Sequence, residues 1–204
     1  MPPLPILLAG LAAGTVFGLF GAGGSAFATP LLALIGLPGA MAVATPLPAM
    51  LPAAIAGARR YLRSGNLDRR VALLAISGGL PGTIVGALAS SVVSGTWLLA
   101  LSGVLLAVVG VRVLLPDPAG HADRCEARRA QTGLVVALAF AVGVLTGLLA
   151  NGGGFLLVPA FVVLLGLSTG MASGTSMVAV GALALPTLIV HWQLGHIDWH
   201  VALI

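Results

Sequence analysis

Three windows of this chain, residues 1–58, 71–111 and 130–197, contain no Asp, Glu, Lys or Arg. Each exceeds the roughly 20 apolar residues with which an α-helix crosses a hydrocarbon core about 30 Å thick, so each window holds more than one membrane segment. Only 7% of the 204 residues are charged and 59% are hydrophobic, which places the chain among membrane proteins, with the bilayer as its solvent. In that solvent every backbone amide must be satisfied within a helix or a closed barrel. The alternating segments of about ten residues that build a barrel are absent. Runs such as "LLALSGVLLAVVGVRVLL" suit helices instead. The sequence therefore predicts an all-α polytopic membrane protein.

The start, "MPPLPILLAGLAAG", lacks the basic region of a secretory signal and runs directly into a glycine-rich stretch, so it reads as the first membrane helix. The single cysteine, Cys125, lies in the charged segment "HADRCEARR", which leaves no internal disulfide and no multi-cysteine metal site. All nine basic residues are arginines, and they sit in loops. Positive loops of a membrane protein report orientation, so nucleic acid is not an expected partner.

The chain is an interrupted duplication, a frequent pattern in transporters. At an offset of 129, Gly14, Gly18, Gly23, Gly24 and Pro30 fall on Gly143, Gly147, Gly152, Gly153 and Pro159. After one inserted residue the offset is 130, and Met41, Ala42 and Thr45 match Met171, Ala172 and Thr175. Further on, "SGNLDRRVALL" meets "LGHIDWHVALI", pairing Gly65, Asp68 and Val71 with Gly195, Asp198 and Val201. The expected organisation is a first membrane repeat over 1–115 with about five helices, a charged cytoplasmic linker over 116–130, and a second repeat over 131–204. Against its own first repeat the second is expected to lack two helices, about 40 residues.

Charge sets the expected orientation of the halves. The loop "RRYLRSGNLDRR" carries five arginines and the segment from Arg112 to Arg129 four more, which places both in the cytoplasm. The corresponding loop of the second half, "VHWQLGHIDWH", has no Lys or Arg, and its Trp192 and Trp199 suit the outer interface. The two halves are then inverted copies, with the N-terminus outside. Each half reads as a first helix (Leu4 to Gly21, Leu134 to Ala150), a short one (Ser25 to Leu37, Gly154 to Leu167) and a third (Met41 to Tyr61, Met171 to Trp192). The short helices span only about 20 Å and are expected to be broken or re-entrant, joined by unwound backbone buried in protein or lining a wet cavity.

Inside the spans there is no carboxylate to form a relay, so a site must be built from neutral polarity. Its candidates are the glycine turns "GAGGS" (Gly23, Gly24, Ser25) and "NGGG" (Asn151, Gly152, Gly153, Gly154), with Thr45, Thr175 and Ser176 on the third helices. Glycine lets the backbone leave helical angles and approach a ligand, and exposes free amides at the start of the next helix. Such a terminus favours anions. The expectation is a neutral cradle for a small inorganic or organic anion, with no metal and no cofactor. Other readings stand beside it. Gly14 and Gly18, and Gly78, Gly82 and Gly86, are spaced by four as in close helix packing. Thr45 and Thr175 either serve a ligand or bond their own helix backbone. His191, His196 and His200 with Asp198 read as a solvated interfacial loop rather than a metal site.

The paired glycine turns, each followed by a proline, then a threonine-bearing helix and an "SGNLD" or "LGHID" loop, resemble the TauE/SafE sulfite exporter family of membrane permeases. The resemblance covers the chain from Gly14 to Ile204, and "GLFGAGGSAFATPLLALIGLP" and "GLLANGGGFLLVPAFVVLLGL" are its most specific parts. It implies transport of small sulfur-containing anions, such as sulfite or sulfonates, across the bacterial cytoplasmic membrane. It implies neither an enzyme nor an ATPase, and no Gly-Lys-Ser/Thr phosphate loop occurs. The family pattern favours glycine where this chain has Ser25, and where it has Ala150 or Asn151. The functional expectation is a secondary transporter working by alternating access. A passive anion channel and a non-transporting membrane scaffold are the alternatives.

Overall fold

The computed structural model describes residues 7, 8, 10, 11, 14, 15, 24–114, 132–150 and 154–202. Residues 7–15, where described, are helical. The elements that follow are α1 (Gly24–Leu34), α2 (Gly39–Ala44), α3 (Leu47–Arg63), α4 (Arg69–Ala89), α5 (Gly95–Leu114), α6 (Thr132–Leu149), α7 (Gly154–Leu165), α8 (Thr169–Gln193) and α9 (Trp199–Ala202). No strand occurs among the described residues. Among the described residues, four segments are long and apolar enough to cross a membrane: Gly39–Arg63, Arg69–Ala89, Thr132–Leu149 and Thr169–Gln193. Leu34, Val92 and Trp97 point outward, as lipid rather than water would favour.

Glycine spacing explains the tightest helix pair. A Cβ on Gly78, Gly82 or Gly86 of α4 would strike the carbonyl oxygens of Val136, Phe140 or Val144 on α6. The relation is reciprocal, because a Cβ on Gly143 or Gly147 of α6 would meet the carbonyls of Gly79 or Thr83 on α4. Small residues on both faces let the two backbones touch, and dispersion between close backbones replaces the hydrophobic driving force that lipid does not supply. Helix α8 packs against both α4 and α3, and the short α7 lies on α8. Helix α5 packs against both short helices, α1 and α7.

The third helix of the first half departs from the sequence expectation of one element over Met41 to Tyr61. It is split into α2 and α3 at Thr45 and Pro46. Both residues keep helical angles, with φ −58° and −70°. Pro46 has no N–H to donate back, however, so the ladder is interrupted there. In the second half Ser176 stands at the corresponding position and α8 runs unbroken for 25 residues. The short helices α1 and α7 have 11 and 12 residues, about 16–18 Å of rise. The charged linker 116–130 and most of the first helix, Leu4 to Gly21, lie outside the described residues.

Candidate functional site

The second glycine turn begins where α6 ends at Leu149. Ala150 is buried and adopts φ 50°, left-handed backbone that a side chain rarely takes and glycine takes freely. That conformation gives a physical reason for glycine to be favoured at this corner. Helix α7 then starts at Gly154, which is buried. In the first half α1 starts at Gly24, so Gly24 and Ser25 form its first turn. Both short helices are thus described from a glycine of the two glycine-rich segments onward, Gly24 and Gly154. Gly23, Asn151, Gly152 and Gly153 lie outside the described residues, and of Ser25 only the backbone is described.

Thr45 and Thr175 each accept a hydrogen bond from the other half of the chain. The backbone N–H of Asp68 donates to Thr175 Oγ1 at 3.0 Å, and the N–H of Asp198 donates to Thr45 Oγ1 at 3.2 Å. These four residues form two pairs at the repeat offset, and each pair joins one half to the other. Both hydroxyls are buried. Elsewhere threonines do bond their own helix, Thr83 to Leu80 O, Thr146 to Gly143 O and Thr187 to Leu183 O at 2.8–2.9 Å. Thr45 and Thr175 instead hold loops. The loops are built alike: Gly65 and Gly195 take φ 73° and 70°, and the aspartate that follows caps the next helix. Asp68 Oδ1 accepts from Val71 N at 3.1 Å, and Asp198 Oδ1 accepts from His200 N and Val201 N at 3.0 and 3.2 Å. Gly174 is required beside this contact, since a Cβ there would overlap the Asn66 carbonyl oxygen.

The two clamps are far apart. Thr175 lies near the start of α8, whereas Asp198 follows its end. From Thr175 to Gln193 the helix rises about 27 Å. The arrangement therefore does not place both threonines in one midplane cradle; each sits under one loop.

Two hydroxyls are different. Ser176 Oγ and Ser102 Oγ are buried with no hydrogen-bond partner among the described residues. Ser176 lies on α8, which packs against α7, and Ser102 lies on α5, which packs against α1 and α7. A buried hydroxyl without a partner costs about 1–3 kcal/mol, so each is a candidate to serve a ligand. Ser176 was legible as a candidate beside Thr175. Ser102 was not, although a lone serine inside "LLALSGVLLAVVG" was a signal available to find it.

The histidines correct the solvated-loop reading. His191 is 1% exposed. Its Nε2 lies 2.9 Å from the carbonyl oxygen of Gly147, in the last turn of α6, and its Nδ1 lies 3.2 Å from His196 Nδ1. The neighbouring loop residue His196 is half-buried, and burial holds its pKa below the ordinary value of 6.5. Sequence spacing missed the pair because it is made by the loop folding back on the helix end. Trp192 and Trp199 meet edge to face, with centroids 5.6 Å apart, as expected of an interfacial aromatic cluster.

The family model of the sulfite exporter TauE/SafE matches residues 6–204. The chain belongs to the TauE/SafE family. Members of this family are membrane transporters rather than enzymes, and this TauE/SafE chain is a multi-pass membrane protein. It is 32% identical over 197 residues to a "Probable membrane transporter protein" of Xylella fastidiosa strain 9a5c, an alignment covering 93% of this chain and 74% of the relative. It is 24% identical over 221 residues to the "Probable membrane transporter protein YunE" of Bacillus subtilis strain 168, covering 97% and 81% of the two chains. No solved structure matches this TauE/SafE chain.

Proposed function

We propose that the chain is a secondary transporter that carries a small sulfur-containing oxyanion, sulfite or a sulfonate, across the bacterial cytoplasmic membrane by alternating access between two inverted repeats. The observation that carries this reading is the exchange of clamps, Thr45 to Asp198 and Thr175 to Asp68. Two halves that hold each other's loops by the same bond can trade the same two arrangements, one open to each side. The anion is cradled by the amides of the glycine turns, Gly23, Gly24 and Ser25 in one half and Asn151, Gly152, Gly153 and Gly154 in the other, with Ser176 donating from α8. Thr45 and Thr175 stand outside that cradle, each fixing one loop of the opposite half. Amide and hydroxyl donors suit a sulfonyl group, whose oxygens accept several hydrogen bonds and need no full positive charge beside them. The exposed arginines at the end of α3 (Arg59, Arg60, Arg63) and the start of α4 (Arg69, Arg70) add a positive field at the mouth.

Uptake of labelled sulfite, sulfoacetate and taurine into proteoliposomes tests the proposal, with protein-free liposomes as the baseline. Saturable flux of at least one of these is expected. Ser176→Ala is expected to raise KM about tenfold, the loss of one hydrogen bond to a charged group. No flux of any small oxyanion contradicts the reading, and an ohmic, non-saturating current would make the protein a channel.

A further inference from the structure

The bonds around His191 fix where its protons sit. A carbonyl oxygen only accepts, so the 2.9 Å contact from His191 Nε2 to Gly147 O requires a hydrogen on Nε2. In the neutral ring Nδ1 is then bare, and the 3.2 Å contact to His196 Nδ1 requires the hydrogen on His196. His196 Nε2 is left bare. A proton taken up there makes an imidazolium, and passing the shared hydrogen from His196 Nδ1 to His191 Nδ1 moves that charge onto His191. His196 is then neutral again, with its hydrogen on Nε2. One proton enters, one N–H bond forms and one is exchanged, with no other reactant.

The destination of that charge is what matters. Gly147 lies in the last turn of α6, the negative end of the helix dipole, where a cation is stabilised. Ala150, three residues on, opens the second glycine turn. Among the described residues no other titratable group faces the pair from the packed elements. Helices α6 and α7 contain none, and α4 contains only Arg69 and Arg70 in its first turn. On α3, Arg59, Arg60, Tyr61 and Arg63 sit at the end that meets Gly174 of α8, and Gly174 is about 25 Å of helix from His191. On the pair's own loop, Asp198 and His200 follow, and Asp198 Oδ1 accepts from the amides of His200 and Val201.

We propose that His191 and His196 form a proton-binding site that couples the anion's movement to one proton. This rests on the transport reading above. Loading the pair places a positive charge beside the glycine turn, so anion and proton favour each other's binding, and by linkage each raises the other's affinity equally. The neutral pair, by contrast, offers the turn only dipoles.

Proteoliposomes with a clamped membrane potential and an imposed pH gradient test this, using whichever of sulfite, sulfoacetate and taurine the native protein carries above protein-free liposomes. A coupling of one proton per anion raises the accumulation ratio about tenfold per pH unit when the side of uptake is acidic. His196→Gln and His191→Gln are expected to lose this gradient-driven accumulation and to keep counterflow exchange of labelled for unlabelled anion, which needs no net proton movement. If the buried His191→Gln variant fails to insert, His196→Gln, on the half-buried loop, decides the question. Native flux indifferent to the gradient, or gradient-driven accumulation that survives in His196→Gln, overturns the coupling and leaves transport standing. No native flux under any gradient overturns the transport reading and the coupling with it.

Discussion

Thr45 and Thr175 show how one hydroxyl in a membrane helix is committed. Each accepts from a backbone N–H of an aspartate in the other half, at 3.2 and 3.0 Å, and each aspartate carboxylate then caps the helix that follows. A valine in place of either threonine keeps the shape and removes the acceptor from a buried N–H. Thr45→Val and Thr175→Val are each expected to lower stability by about 1–3 kcal/mol, read as a lower midpoint of thermal unfolding in detergent. Their KM for the carried anion is expected to change less than that of Ser176→Ala. A large rise in KM without loss of stability would make these hydroxyls ligand contacts instead. Both threonines were picked out by their place in the repeat, but their partners were not visible, because the bonds cross 107 and 153 residues of chain. His191 was hidden for a related reason. Its burial comes from the neighbouring end of α6, and no local pattern around "VHWQLGHIDWH" encodes that neighbour.

Helices α4 and α6 are held by absence of side chains rather than by their fit. The three glycines of α4 at spacing four and the two of α6 each abut a carbonyl of the partner. This could be read from the sequence for Gly78, Gly82 and Gly86, since a run of small residues on one helix face has few other uses in lipid. Adding volume there forces the backbones apart. Gly82→Leu is expected to destabilise by more than the roughly 1–3 kcal/mol typical of overpacking, because the obstructing atoms are backbone and cannot change rotamer. A Cβ on Gly103 of α5 would meet no atom within 4 Å, so Gly103→Ala is expected to leave stability unchanged or raise it by up to about 1 kcal/mol. Thermal unfolding of both variants beside the native chain checks the pair, and equal effects at the two sites would refute the packing account. The break between α2 and α3 was less legible. Thr45 reads as a candidate site residue on one continuous helix, whereas Pro46 beside it interrupts the ladder, and its counterpart Ser176 lets α8 continue.

The fold class of the molecule follows from where charge is missing, and the duplication follows from the match of Gly65, Asp68 and Val71 with Gly195, Asp198 and Val201. Those signals are legible because a membrane forbids isolated charge and a repeat is a comparison of the chain with itself. Substrate choice is not legible in the same way, since neutral donors at glycine turns suit many oxyanions. The proposed inverted arrangement of the two repeats requires that the two clamped loops lie on opposite faces of the membrane. Single cysteines at Asn66 and at His196, in a chain carrying Cys125→Ser, place each loop directly when treated with a membrane-impermeant thiol reagent in intact cells and in inverted vesicles. Labelling of residue 196 from outside and of residue 66 only from the cytoplasmic side is the expected result, and labelling of both from the same side would contradict inverted repeats.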